Sequence, residues 1–476
     1  MKKIVYLSLY LLILMSCTKD LASLNEHTKA PVNVPAGSLF ANATRTLSDK
    51  LTATSLYENV FRFVVKHWAM VTYQDEVQYD FTSRGIISNW WNTLYMDVLA
   101  DLNNSALVIK DDATMTEGEK ANKLAIVDIL QVYTYSILVN TFGNIPYSES
   151  LNSSILFPKY DNAQTVIYPD LMRRLTDDLS KMSESSNGFA SSEDLIYKGN
   201  MTNWIKFANT LQLKLAMTIA DVDNTSAKTT VEAVNEGAIS SPNDNAIFFY
   251  LTGSPNQNPE YVDFVVNGNK GYYVSTEDFI DSLLKFEDPR LSKFFSTNKS
   301  GVYNGGVSGM VNNPQSNFSV PQIITADAPY IFLDYVEAEF YRAEAIERGY
   351  TIPGTAAEHY NNAIKASILY WGGTEDEAES YLANPDVNYA LAKGNWKQKI
   401  GTQKWIALYN RGFEGWTELR RLDFPKLSLP IGAKSPFPNR FTYPDEEQTT
   451  NGENYTSAAK EIDGDKVEKK IFWDKY

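Results

Sequence analysis

The sequence predicts a mainly α protein: degenerate tetratricopeptide-like helix pairs stacked into a right-handed scaffold, with large irregular loops inserted between them. Three observations carry that prediction. Apolar residues recur at steps of three and four over most of the chain, the spacing of one helix face. Two stretches also read as helix–turn–helix units. Ala356-x3-Tyr360-x2-Ala363 follows a segment containing Ala338 and Tyr341, and Trp204-x2-Phe207-Ala208-x2-Leu211 precedes Ala227-x3-Val231-x2-Val234. The links inside both units are longer than a repeat of about 34 residues allows, so the array is degenerate. Third, the texture changes at Ser240, from which the chain to Pro329 is rich in Asn, Gly, Ser, Pro and Tyr. A single pair cannot bury its apolar face, so pairs must stack. Their insertions then gather on one side, where binding surfaces tend to lie.

At the start of the chain, Lys2 and Lys3 precede a nearly continuous apolar run from Ile4 to Met15. A bilayer core takes roughly 20 apolar residues to span, so this run predicts a signal peptide, residues 1–16. Leu14-Met15-Ser16-Cys17 resembles a bacterial lipobox, which makes Cys17 the lipid-attachment residue. The competing reading is an ordinary cleaved signal with a chance cysteine. Cys17 is the only cysteine, so an intrachain disulfide and a thiolate metal cluster are both excluded. Residues 17–36, with Pro31 and Pro35, read as a tether.

One domain, 17–476, follows. Its helical scaffold occupies about 37–60, 88–239 and 330–422, and its insertions about 66–87, 240–329 and 423–476. Gly37 to Tyr57 has helical periodicity through Leu39, Leu47 and Leu51. Lys66 to Gly85 has no sustained period. Ser88 is placed to cap a helix whose face carries Trp91, Leu94, Tyr95, Val98 and Leu102; Trp91 and Tyr95 therefore read as core, and Trp90 stays open. Lys120 to Thr141 is a helix ended by Gly143 and Pro146. Asp161 is placed to cap the next, through Leu171, Leu175 and Leu179. Trp204 to Asp221 and Ala227 to Ala238 form a pair. Within the long insertion, Phe279 to Phe286 is a short helix, and Asn267-Gly268 between Val265-Val266 and Tyr272-Tyr273 suggests a hairpin. Tyr330 to Glu347 and Ala356 to Tyr370 resume the scaffold, and Thr374 to Leu382 is an acidic, solvated helix.

Gln403 to Leu427 reads as one long aromatic helix near the end of the scaffold. Trp405, Leu408, Tyr409, Gly412, Trp416 and Leu419 form its buried stripe. Lys404, Asn410, Arg411, Glu414, Glu418 and Arg420 lie on the other face, and Pro425 stops it. A Pro- and Asn-rich tail completes the chain.

The net charge of −15 argues against a nucleic-acid surface, which needs a basic face. Catalytic signatures are missing from the sequence. Its three histidines, His27, His67 and His359, include no pair at metal-ligand spacing. Gly306-Val307-Ser308-Gly309 fails as a nucleophile elbow at Met310, and Asp463-Gly464-Asp465 lacks the rest of a calcium loop. No phosphate-binding glycine loop is present. No cofactor, metal or catalytic residue is assigned. Asp75, Glu76 and Asp80 could in principle serve a glycoside hydrolase, but a solvated loop explains them as well.

A binding role needs less. With 29 Tyr and 9 Trp the chain is rich in residues that join a flat apolar face to a polar edge. A sugar ring offers a sheet of C–H groups to such a face while its hydroxyls seek Asn, Asp, Arg and Gln. Trp68, Tyr73, Gln74, Asp75, Tyr79 and Arg84 supply both on the first insertion; Tyr261, Asn267, Tyr272 and Tyr273 do so on the second. The candidate ligand-binding set is Trp68, Tyr73, Asp75, Tyr79, Arg84, Tyr272 and Tyr273.

Several ordered motifs are similar to the SusD/RagB family, in a pattern closer to its shorter branch than to the starch-binding prototype. They are Leu24-Asn25, Phe142-Gly143-Asn144-Ile145-Pro146-Tyr147, Pro158-Lys159-Tyr160-Asp161, and Trp204-x2-Phe207-Ala208-Asn209-x-Leu211-x-Leu213-x-Leu215-Ala216. Asp288-Pro289-Arg290 and Glu339-x4-Glu344-Ala345 follow. Last come Gln403-Lys404-Trp405-Ile406-Ala407-Leu408 and Glu414-x-Trp416-x2-Leu419-Arg420-Arg421. The resemblance spans nearly the whole mature chain. It implies a non-enzymatic, lipid-anchored outer-membrane protein facing the cell exterior, a location that the charged Lys19 and Asp20 after Cys17 would suit. It also implies a lid over a TonB-dependent, SusC-like barrel, capturing an oligosaccharide, or a peptide in the RagB-like case, for import. No ligand motif transfers with the family, so the site residues rest on their own chemistry.

Overall fold

The computed structural model describes residues 34–476. The signal segment, Cys17 and nearly all of the tether lie outside the described residues. The fold is helical, and among the described residues strands occur only as three two-stranded antiparallel ladders.

The two expected pairs form: Tyr335–Glu347 lies against Ala356–Tyr370, and Met201–Thr218 against Asn224–Val234. A third pair, Glu117–Phe142 against Tyr168–Lys181, has no such signature in the sequence. Met201–Thr218 also touches Tyr168–Lys181 and Tyr335–Glu347, which joins the pairs into one stack. Five of these six helices start at a side-chain cap. Thr116, Asn200, Asp223 and Asp334 each accept a hydrogen bond from a first-turn N–H, and Thr355 with Glu358 closes a reciprocal capping box. Glu117–Phe142 is long and apolar enough to cross a membrane, yet 89% of its most apolar stretch is buried inside the protein. It is the central core helix.

Several boundaries differ from the sequence reading. The first helix, Ala36–Thr52, stops before Tyr57. The next long helix starts at Ile86 behind the left-handed Gly85, whereas Ser88 points outward and donates to Glu446. That helix runs on to Asp111, widened to π geometry over Thr93–Leu99. Trp91 is core as expected, Tyr95 is partly buried against it, and the undecided Trp90 is fully buried. Asn162 caps the helix assigned to Asp161, because Asp161 is engaged by the Ser148 N–H and hydroxyl. The hairpin at Asn267-Gly268 does not form: both flanks are helical turns, and Tyr273–Ser275 pairs with a distant strand instead. The tail is not a free appendage either. The Phe441 N–H bonds to the Thr141 carbonyl, and the Trp473 indole N–H to Asn140, both on the core helix.

The largest correction concerns Gln403 to Leu427. It is two helices, Trp396–Ala407 and Gly412–Leu422, with Asn410 left-handed between them at φ 67°. Asn tolerates that conformation better than most residues. Arg62 donates to its side-chain oxygen, and its amide donates to Glu260 at 2.7 Å, so tertiary contacts hold the break. A Cβ on Gly412 would lie 2.5 Å from the Arg62 backbone nitrogen, so only glycine lets this helix approach the 61–65 segment. The charged face is buried along with the aromatic one. Arg421 bonds both oxygens of Glu344 at 2.6 Å and Glu418 at 2.6 Å, while Lys404 lies 3.0 Å from Glu418 and 3.5 Å above the Tyr341 ring. Arg411 pairs with Glu337 and with Asp334. Burial alone would raise the Glu418 carboxyl, but Arg421 and Lys404 outweigh it and hold it well below the usual range. Burial pushes the Lys404 ammonium down to about 8.

His67 is likewise a core group. It is fully buried beside Trp405, one ring nitrogen 3.1 Å from the Trp405 carbonyl, and burial pushes it down to about 3. A folded value below the unfolded one means that folding favours neutral His67. Its contribution is complete above about pH 6.5 and is lost as pH falls toward the folded value. Unfolding free energy should decline by about 1.4 kcal/mol per pH unit below pH 6 from this residue alone. Urea melts at pH 7, 6, 5 and 4 check this: His67→Gln should flatten the acid limb, and an unchanged slope would remove the assignment.

Candidate glycan-binding surface

The two insertions meet through an antiparallel ladder that no local signal encodes. Trp68 pairs with Ser275, Ala69 with Val274 and Met70 with Tyr273, and the Val71 N–H continues the ladder to the Tyr272 carbonyl at 2.8 Å. Tyr273, the first residue of its strand, turns into the core, whereas Tyr272, the last residue of the helical turn before it, stays outside.

Burial divides the candidate set. Tyr73 and Tyr272 are 46% and 39% exposed, and their ring centres lie 5.4 Å apart at a tilt of 58°. The Arg84 guanidinium sits 5.9 Å from the Tyr73 ring and 5.8 Å from the ring of Tyr57, which is 56% exposed. Asp75, also exposed, accepts from Arg84 at 3.2 Å. The result is an open arc of three tyrosine faces around one guanidinium. Tyr57 was missed from the sequence because it continues the spacing of the first helix; the chain turns away at Ala53 instead.

The other three candidates belong to the core. Trp68 is buried, its indole N–H bonded to the Tyr409 hydroxyl at 3.1 Å. The Tyr273 hydroxyl donates to Asp263 and to the Thr54 carbonyl, each at 3.0 Å. Tyr79, in a left-handed turn, packs beside Phe81 and edge-on to Phe437, and burial raises its hydroxyl above the ordinary range. In this conformation none of the three presents a face to solvent.

The loop carboxylates have structural partners. Glu76 is fully buried under Arg84; burial pushes it above the ordinary carboxylate range while Arg84 pulls the other way. It positions the guanidinium between the rings. Asp80 accepts from the Thr82 and Ser83 N–H groups and hydroxyls, a turn that lowers its carboxyl. Among the described residues no cluster of His, Cys, Asp and Glu forms a metal cage. A separate cleft of about 520 Å³ lies between Ala328–Ile331 and Leu369–Trp371. Its walls are mostly apolar, and the charged groups of its floor, Arg62, Asp334 and Arg411, are paired internally.

Over residues 28–444 the sequence matches the SusD-like family profile, whose members are described as starch-binding and associating with the outer membrane. The chain belongs to the SusD-like family. Solved structures share the fold. A chitin-binding protein is 23% identical with a TM-score of 0.78, covering 93% of this chain and 100% of its own. A chitin-binding SusD homologue from Flavobacterium johnsoniae is 22% identical with a TM-score of 0.76, at 92% and 98% coverage. A SusD homologue from Bacteroides thetaiotaomicron is also 22% identical with a TM-score of 0.76, at 93% and 100% coverage. No curated protein sequence matches. In this SusD-like chain the stacked helix pairs form the scaffold, and the loops that hold Tyr57, Tyr73 and Arg84, with the turn that ends at Tyr272, carry the aromatic arc.

Proposed function

We propose that this SusD-like protein captures oligosaccharides at the outer surface of the cell and passes them, chemically unchanged, to a TonB-dependent, SusC-like barrel. In this reading Cys17 carries the lipid anchor. The observation that supports it best is the exposed arc of Tyr57, Tyr73 and Tyr272 around Arg84. Three tilted rings offer stacking faces to successive sugars, and Arg84 and Asp75 supply hydrogen bonds at the edges. Two relatives of the same fold are described as chitin-binding, which agrees with a glycan ligand.

Migration through gels containing different polysaccharides tests the capture step. At least one glycan should retard the wild type, and Tyr73→Ala or Tyr272→Ala should weaken that binding roughly tenfold to a hundredfold, about 1.4–2.8 kcal/mol. If both variants migrate like wild type, the arc is not the site. The delivery step predicts that the full lipoprotein co-purifies from outer membranes with a TonB-dependent barrel. Recovery without one removes that half of the proposal.

A further inference from the structure

Beside the aromatic arc stand four large apolar side chains that the fold leaves exposed: Met310, Val311, Leu429 and Ile431. Their two loops are tied to the loop that carries Tyr73. The Asn312 N–H donates to the Val71 carbonyl at 2.9 Å, and its side-chain amide to the Met70 and Met310 carbonyls at 3.0 and 2.9 Å. The Gln78 amide donates to the Gly309 and Ile431 carbonyls at 2.9 and 3.1 Å, and the Lys434 N–H returns to the Gln78 carbonyl at 2.7 Å. Between the loops, the Ile431 N–H bonds to the Ser308 carbonyl at 2.9 Å. A Cβ on Gly309, at φ +85°, would lie 2.1 Å from the Ile431 carbonyl oxygen, so the backbones meet closer than any side chain permits. The three loops form one braced platform. Exposed apolar side chains grouped on such a platform mark a recognition surface.

Its chemistry narrows the ligand. The guanidinium of the arc, Arg84, is already engaged by Glu76 and Asp75, so an acidic sugar meets no unpaired charge there. An extended peptide would need a free strand edge to extend the ladder. The Ser275 N–H is occupied by the Ser319 carbonyl, and the Met70 and Val71 carbonyls by Asn312. A plain glucan would set hydroxyls against methionine and valine, where they lose water without gaining a partner. We propose, resting on the glycan reading above, that the ligand is an N-acetylated neutral oligosaccharide. Its rings stack on Tyr73 and Tyr272, and its acetamido methyl groups seat on Met310 and Val311. Each methyl so buried is worth about fourfold in affinity, so two contacts give about tenfold or more.

Calorimetric titration with a β-1,4-linked N-acetylglucosamine tetramer and with cellotetraose, the same backbone without acetamido groups, tests this. Wild type should bind the acetylated tetramer at least tenfold more tightly. A Met310→Ser, Val311→Ser double variant should bring the two within threefold, chiefly by weakening the acetylated tetramer. Tyr73→Ala should weaken both. Equal wild-type affinities, or a preference that survives the double variant, overturn the N-acetyl assignment and leave glycan capture standing. If neither tetramer binds and no polysaccharide gel retards the protein, both readings fall.

Discussion

Replacing Arg421 by methionine should lower the unfolding free energy by about 3–5 kcal/mol, seen as a lower urea midpoint at unchanged slope. The size follows from what the substitution leaves behind. Arg421 holds Glu344 through two bonds and Glu418 through two more, at distances from 2.6 to 3.1 Å, and all three side chains are buried. Arg348 still faces Glu344 at 2.8 Å, and Lys404 still faces Glu418 at 3.0 Å. Those remaining cations cannot satisfy every oxygen that Arg421 releases, and a buried carboxylate short of partners is costly. The loss should depend on pH, because Glu344 and Glu418 can then escape by taking up protons. A variant that also carries Glu344→Gln should recover part of the stability. A cost below about 1 kcal/mol would mean that the network adds little beyond packing.

Trp68→Ala should be nearly as severe, about 3–5 kcal/mol, with no specific effect on the ligand. Trp68 is fully enclosed, with Phe264 and Tyr273 each 5.6 Å away and the Arg62 guanidinium 5.1 Å from its ring. Removing it opens a cavity beneath the ladder that joins the two insertions and takes away the bond that the Tyr409 hydroxyl accepts from its indole. Trp68→Phe keeps most of the ring and should bind glycan within twofold of wild type. If that variant folds normally but loses the ligand, Trp68 belongs to the site after all and the outward surface has been drawn too narrowly.

These two experiments fall on the places where residue spacing and three-dimensional structure part company. The helices at 117–142, 201–218 and 356–370 were legible to within a few residues, because periodic apolar faces and capping side chains act within one or two turns; that at 335–347 was legible except that Tyr330–Leu333 ahead of it is a strand. The rest depends on partners far away in the chain. Lys404, Glu414, Glu418 and Arg420 read as a solvated face, since charge is normally left in water; Lys214, Arg421 and the aromatic rings of Tyr341 and Trp416 make their burial tolerable. The break at Asn410 likewise needs Arg62 and Glu260.

For the candidate surface the division is sharper. Composition alone drew attention to the two insertions and to Tyr73, Asp75, Arg84 and Tyr272 within them. It could not separate Tyr272 from Tyr273, or Tyr73 from Trp68 and Tyr79. Tyr273 is drawn into the core by pairing with Met70, about two hundred residues away, while Tyr272 stays in the turn before the strand. The sequence by itself determined the helical scaffold and the family, because those follow from local spacing and residue type. Only the tertiary structure decided which rings are offered to a ligand, because exposure is settled by long-range pairing and burial.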